Sequence, residues 1–180
     1  LRKHLIEQEH VPAERIAVAT GTQAGRRYRA LVHSTTRPAV TDVRMLPLDE
    51  NRVVVRTEAT QLCYTIVNQS AQQYPVPPIL GHGGVGIVEE VGRLVKRVKV
   101  GDQVILATTP NCGVCQNCLS GRGDLCNTRL PAIPNATMAD NTPVYMDAPP
   151  VGPAGYAEFI VLDEDWVVPV FTQVPPAELS

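Results

Sequence analysis

Asn111-Cys112-Gly113-Val114-Cys115-Gln116-Asn117-Cys118-Leu119-Ser120-Gly121-Arg122-Gly123-Asp124-Leu125-Cys126 holds four of the five cysteines of the chain. Their spacing is C-x2-C-x2-C-x7-C. Thiolates this close in sequence, separated by flexible glycines, can surround one soft divalent cation. Zinc takes four sulfurs at about 2.3 Å, and an all-cysteine set leaves no position for water or substrate. The stretch therefore predicts a structural metal knuckle, not a reaction centre. Disulfides are the competing reading. A C-x2-C pair can close a redox disulfide, but three thiols at this spacing plus a fourth suit a metal better.

The fifth cysteine, Cys63, lies upstream in Gln61-Leu62-Cys63-Tyr64-Thr65. Farther along, His82 sits in Gly81-His82-Gly83-Gly84-Val85-Gly86. A cysteine and a histidine outside a closed four-cysteine site are candidates for a second, open metal site. Taken singly, each has an ordinary structural explanation: a small apolar residue for the cysteine, a hydrogen-bonded core residue for the histidine.

The order cysteine, Gly-His loop, four-cysteine knuckle resembles the catalytic domain of the zinc-dependent medium-chain alcohol dehydrogenases. The family loop reads G-H-E-x2-G-x5-G-x2-V, and Gly81, His82, Gly86, Gly92 and Val95 fall in that frame, with Gly83 replacing the glutamate. Val100-Gly101-Asp102-Gln103-Val104 resembles the family's V-G-D-x-V turn, and Gly155-Tyr156-Ala157-Glu158-Phe159 its G-x-A-E-[YF] strand. The resemblance covers about residues 28 to 180.

It implies a mainly β fold, a GroES-like barrel with short helices and a structural zinc lobe at 110–127. It implies two zinc ions, one structural on Cys112, Cys115, Cys118 and Cys126, and one catalytic on Cys63 and His82. Thr65 matches the hydroxyl that relays the alcohol proton, and Tyr64 a position that touches the coenzyme. Asn68 stands where some relatives have a proton-relaying histidine, and it cannot exchange a proton near neutral pH. The implied activity is oxidoreduction between an alcohol and an aldehyde or ketone with NAD or NADP. The third protein ligand of the catalytic zinc falls, by family spacing, just after Ser180. The alternative is a non-enzymatic zinc-stabilised scaffold or interaction domain descended from such an enzyme.

The rest of the chain agrees with a small β domain. Apolar residues make up 44% of its 180 residues and aromatics only 4%, so the core must be aliphatic. Arg52 to Thr57, Gly86 to Val91, Asp102 to Ala107, Phe159 to Leu162 and Trp166 to Val168 read as strands, as does Tyr28 to Val32. Residues 61–72 read as a short helix with Cys63 near its start. Residues 1–27 read as an extension or linker, and 28–180 as the catalytic domain. Residues 128–154, rich in proline, read as a long surface loop. His4, His10 and His33 read as surface residues.

Gly81-x-Gly83-x-x-Gly86 also fits the dinucleotide-binding fingerprint. That fingerprint needs a preceding strand and a following helix, whereas here Pro75, Pro77 and Pro78 precede it and Val and Ile follow. The coenzyme-binding Rossmann domain is thus expected outside this chain, which begins with Leu1, and the segment alone is expected to be inactive.

The net charge of −2 gives no electrostatic reason to expect nucleic acid or a membrane surface. The knuckle has one basic residue, Arg122, and no aromatic platform, which argues against a nucleic-acid ribbon. Reduced cysteines fit a cytoplasmic protein. The expected partner is a small-molecule alcohol or aldehyde, with homo-oligomers at full length.

Overall fold

The computed structural model describes residues 25–33, 37–74, 76–108, 111–127, 134–145, 153–172 and 174–180. In chain order these form β1 (Arg27–His33), β2 (Pro38–Met45), β3 (Arg52–Ala59), helix α1 (Tyr64–Ser70), β4 (Val85–Val91), β5 (Gln103–Leu106), helix α2 (Gln116–Leu119), a 3-10 turn (Gly123–Leu125), β6 (Pro134–Thr137), β7 (Pro143–Tyr145), β8 (Phe159–Asp163), a second 3-10 turn (Glu164–Trp166), β9 (Val167–Pro169) and helix α3 (Pro176–Leu179).

Burial patterns explain the layering. Along β1, Tyr28, Ala30 and Val32 are buried while Arg27 and Arg29 are exposed, the alternation of a strand with one face on the core. In β3, Arg52 through Val55 are all buried, as a central strand covered on both faces must be. Accordingly β3 lies between β8 and β4 in a sheet ordered β8-β3-β4-β5-β9. The second sheet is ordered β1-β2-β6-β7. Every named strand pair is antiparallel.

The second sheet closes on itself. Ile79 N–H donates to Tyr145 O at 2.9 Å and Leu80 N–H to Leu31 O at 3.0 Å. Bridges pair Pro78 with Tyr145 and Val32 with Ile79. Hydrogen bonding therefore runs from β1 through β2, β6 and β7, then through residues 78–80 back to β1. A closed circuit removes the edges that an open sheet would expose. The first sheet joins it where Leu31 N–H donates to Tyr156 O and Glu158 N–H to Arg29 O.

One aliphatic core fills the interior, with Val32, Val53, Val54, Val55, Ile79, Val88, Ile160 and Leu162 fully buried. Tyr28 and Phe159 add an edge-to-face pair with centroids 5.9 Å apart. Each such aliphatic side chain stabilises the fold by roughly 1.5–3 kcal/mol relative to leaving it in water.

Three expectations need correction. Residues 134–137 and 143–145, assigned above to a surface loop, are strands β6 and β7. Ala136 and Val144 are fully buried there, and Asn135 Nδ2 donates to Val161 O at 2.9 Å. His33 is not a surface residue: it is 2% exposed, its Nε2 lies 2.9 Å from Ser70 O, and it stacks edge-on against Tyr74. Trp166 lies in the 3-10 turn before β9 and not in the strand. His4 and His10 lie outside the described residues. At the N-terminal side the described residues include Gly25, bonded to Met45 O, and Arg26, paired with Glu89 and stacked 3.6 Å over Phe159. Gly81, Gly83 and Gly86 lead into strand β4, not a helix, so the dinucleotide fingerprint has no structural basis here.

Candidate metal centres

Tight turns gather the knuckle. Gly113 and Gly121 adopt positive φ values of 69° and 80°, which a side chain would strain. Cys115 caps α2, Arg122 N–H returns to Asn117 O at 2.8 Å, and Asn117 Nδ2 donates to Leu125 O at 2.6 Å. The four cysteines are free, and their sulfurs all lie within 4.8 Å of one another. Four sulfurs about 2.3 Å from one zinc stand about 3.8 Å apart, so the cluster fits that ion.

The lobe's electrostatics agree. Cys115 N–H points at Cys112 Sγ, 3.3 Å away, and Cys112 N–H at Cys126 Sγ, 3.5 Å away. Such donors favour thiolate. The Cys118 thiol is pushed up to about 12 by desolvation first, then by the neighbouring thiols Cys115, Cys126 and Cys112. Crowded sulfurs resist ionising together, and a divalent cation at their centre reverses that preference. Neither α2 nor the 3-10 turn buries a residue, and Val114 and Leu119 are each 75% exposed. The described part of the lobe thus draws little on hydrophobic burial.

The second centre is assembled from distant segments. Cys63 is the extended N-cap residue of α1. Ile66, one turn in, packs against Leu80 and anchors the helix. His33 holds its far end through Ser70 O. The chain from Ile79 and Leu80, fixed by closure of the second sheet, runs directly into His82. Its imidazole lies near enough to the Cys63 sulfur to favour the thiolate. The Thr65 side chain and backbone act on the same thiol. Together they lower the Cys63 thiol from 9.0 to about 7, Thr65 contributing most and His82 next. Tyr64 points outward, 76% exposed.

The structure thus brings Cys63, Thr65 and His82 together and keeps them separate from the four-cysteine cluster, the one group of three or more metal-binding side chains among the described residues. A cysteine sulfur and an imidazole nitrogen side by side are a donor pair suited to zinc.

Two neighbours were not singled out in the sequence. Tyr156 Oη donates to Gln61 O at 2.9 Å, and its ring packs with Cys63 against Ile66 and Leu80. Gln61 Nε2 lies 3.4 Å from His82 Nδ1. Both come from motifs quoted above, but only the barrel's long-range closure brings them to Cys63.

Comparison with known proteins follows this geometry. Residues 49–172 match the family model described as alcohol dehydrogenase GroES-like domain. The chain is 38% identical over 91 residues to an S-(hydroxymethyl)glutathione dehydrogenase of Komagataella pastoris, covering 49% of this chain and 24% of that protein. It is 32% identical over 146 residues to an alcohol dehydrogenase of Geobacillus stearothermophilus, covering 78% and 38%. In structure it resembles an alcohol dehydrogenase zinc-binding domain protein from Burkholderia ambifaria, with a TM-score of 0.71 and 27% identity over 84% of this chain and 44% of that one. The chain therefore spans less than half the length of each of these relatives. Its closed β-barrel circuit, its cysteine lobe and a family match across most of the described core make it a member of the alcohol dehydrogenase GroES-like domain family.

Proposed function

We propose that this chain is the catalytic domain of a zinc-dependent alcohol dehydrogenase. The protein interconverts an alcohol and an aldehyde or ketone, using NAD or NADP bound by a Rossmann-type domain in a longer protein. The observation that carries this reading is that Thr65 and His82, one near and one far in sequence, both bear on the Cys63 thiol, outside the four-cysteine lobe.

Cys63 as thiolate and His82 as neutral imidazole would hold a catalytic zinc, with the third protein ligand supplied after Ser180. When bound, zinc acts as a Lewis acid that lowers the pKa of an alcohol and so favours hydride loss to the nicotinamide. Thr65 accepts the alcohol proton at its hydroxyl and passes it on. Asn68, exposed on α1, does not ionise near neutral pH, so the relay continues through water or cofactor hydroxyls. Tyr64 borders the coenzyme. Cys112, Cys115, Cys118 and Cys126 hold a second zinc with a structural role.

The domain begins at about residue 25, where Gly25 and Arg26 join the barrel, and runs to about 180, after an extension. The assembled protein is a homo-oligomer in the cytoplasm, where thiols stay reduced. Among the described residues no helix is long and apolar enough to cross a membrane.

The test is zinc content and alcohol-dependent NAD(P) reduction by the protein at full natural length. Two zinc ions per chain and turnover that requires Cys63 and His82 support the reading. A fully zinc-loaded protein inactive with a broad set of alcohols and aldehydes would favour the scaffold alternative.

A further inference from the structure

A histidine that binds metal through one ring nitrogen must carry its proton on the other, and that N–H almost always has an acceptor. The acceptor fixes both the tautomer and the ring orientation. Among the described residues, no carboxylate is hydrogen-bonded to the His82 ring. Gly83, next to it, has no side chain to offer. The neighbour of Nδ1 is the amide of Gln61, at 3.4 Å.

The placement of that amide is built into the backbone. Tyr156 Oη holds the Gln61 carbonyl at 2.9 Å. Thr60 Oγ1 donates to Gly83 O at 3.1 Å, tying the segment before Cys63 to the loop after His82. Gly155 allows this approach, since a Cβ there would collide with Gly83 O. The Gln61 side chain then lies across Gly83: a Cβ on Gly83 would come within 3.0 Å of its amide nitrogen. An amide presents oxygen or NH2 by turning its terminal torsion through half a turn, and which atom faces a partner is set by the hydrogen-bond network. Facing Nδ1–H, the oxygen is the matching atom.

We infer that Gln61 is the positioning residue for His82, its side-chain oxygen accepting from Nδ1–H so that Nε2 is the ligating atom, in space that Gly83 leaves open. This rests on the reading that Cys63 and His82 hold zinc. Gln61 touches neither substrate nor coenzyme in this role and acts through the histidine. Gly83 and Gln61 are then complementary: a side chain at 83 would push the amide away from the ring.

The test measures affinity for the second zinc equivalent in the full-length protein, by competition with a chromogenic chelator, for wild type, Gln61→Met and Gln61→Glu. Methionine keeps the length without the acceptor, and glutamate restores an acceptor. Loss of such an outer partner typically weakens metal binding by about 10–100-fold. Gln61→Met should therefore bind the second zinc at least about tenfold more weakly, with an unchanged melting temperature because Gln61 is exposed. Gln61→Glu should bind at least as tightly as wild type. Gln61→Met binding within twofold of wild type would overturn the inference while leaving the zinc site standing, and so would equal losses in both variants. If wild type binds no second zinc, or Cys63→Ser retains it, the catalytic-site reading fails and the inference falls with it.

Discussion

A Cβ added to Gly81 would stand 2.5 Å from the backbone nitrogen of Gly155 and 2.7 Å from that of Tyr156. The loop that carries His82 thus meets the segment entering β8 backbone to backbone. Gly81 also has a φ of 112°, where L side chains are rare.

Gly81→Ala should therefore cost more than about 2 kcal/mol, combining backbone strain with an overlap that neither backbone can relieve locally. Gly25→Ala is the control: its φ is also positive, at 81°, but nothing lies within 4 Å of the added carbon. Urea melts of both variants should separate the two effects. Equal losses would mean that the close approach adds nothing.

Cys115→Ser should remove one zinc per chain. Structural zinc sites in model peptides contribute roughly 10–16 kcal/mol of apparent binding free energy, and the lobe buries no residue in α2 or in its 3-10 turn. Trypsin should then cut at Arg122, which is exposed, well before it attacks the barrel. Unchanged zinc content in this variant would contradict the ligand assignment.

In zinc-free protein, alkylation of Cys63 by iodoacetamide should reach half its limiting rate near pH 7, the folded value of about 7 set against an ordinary 9.0. The thiol is lowered by folding, so the associated stability is complete above the ordinary value and is lost as pH falls through about 7. Thr65→Val removes the largest single cause and should move the midpoint upward. Peptide mass mapping isolates Cys63 from the lobe cysteines. A midpoint unchanged by Thr65→Val would remove the hydroxyl from the sulfur's surroundings.

His33→Ala should destabilise the protein by about 1–3 kcal/mol, since it removes the partner of Ser70 O in a buried setting. The loss falls at the end of α1, so amide exchange in residues 66–70 should accelerate ahead of the barrel strands. Uniform acceleration across the domain would argue against a local clamp.

The knuckle is legible in sequence because all its ligands are local and their spacing alone restricts the geometry. Strands β3, β4 and β8 are legible for a similar reason: β-branched runs bounded by turn residues carry their own signal. Strands β6 and β7 carry none. Pro134, Asn135 and Thr137 read as loop chemistry, yet β6 forms because Arg44 and Met45 of β2 pair with Thr137 and Ala136 and Val161 O accepts from Asn135, and β7 then pairs with β6. Tyr156 and Gln61 are invisible as site residues for the same cause. His33 is misread because burial of a histidine depends on a carbonyl, Ser70 O, supplied by another element.

Tyr156 and Gln61 meet across 95 residues of sequence. A ribosome adding roughly 5–20 residues per second takes about 5–20 s to make that stretch. Throughout that interval Cys63 is already synthesised but lacks the wall against which it packs, and closing so long a loop must precede any gain from its contacts. The four lobe cysteines are all made within a far shorter window. If both proposed zinc sites are filled, their loading would be ordered in time: the lobe could load during synthesis, and the Cys63–His82 centre only after the chain has passed residue 156.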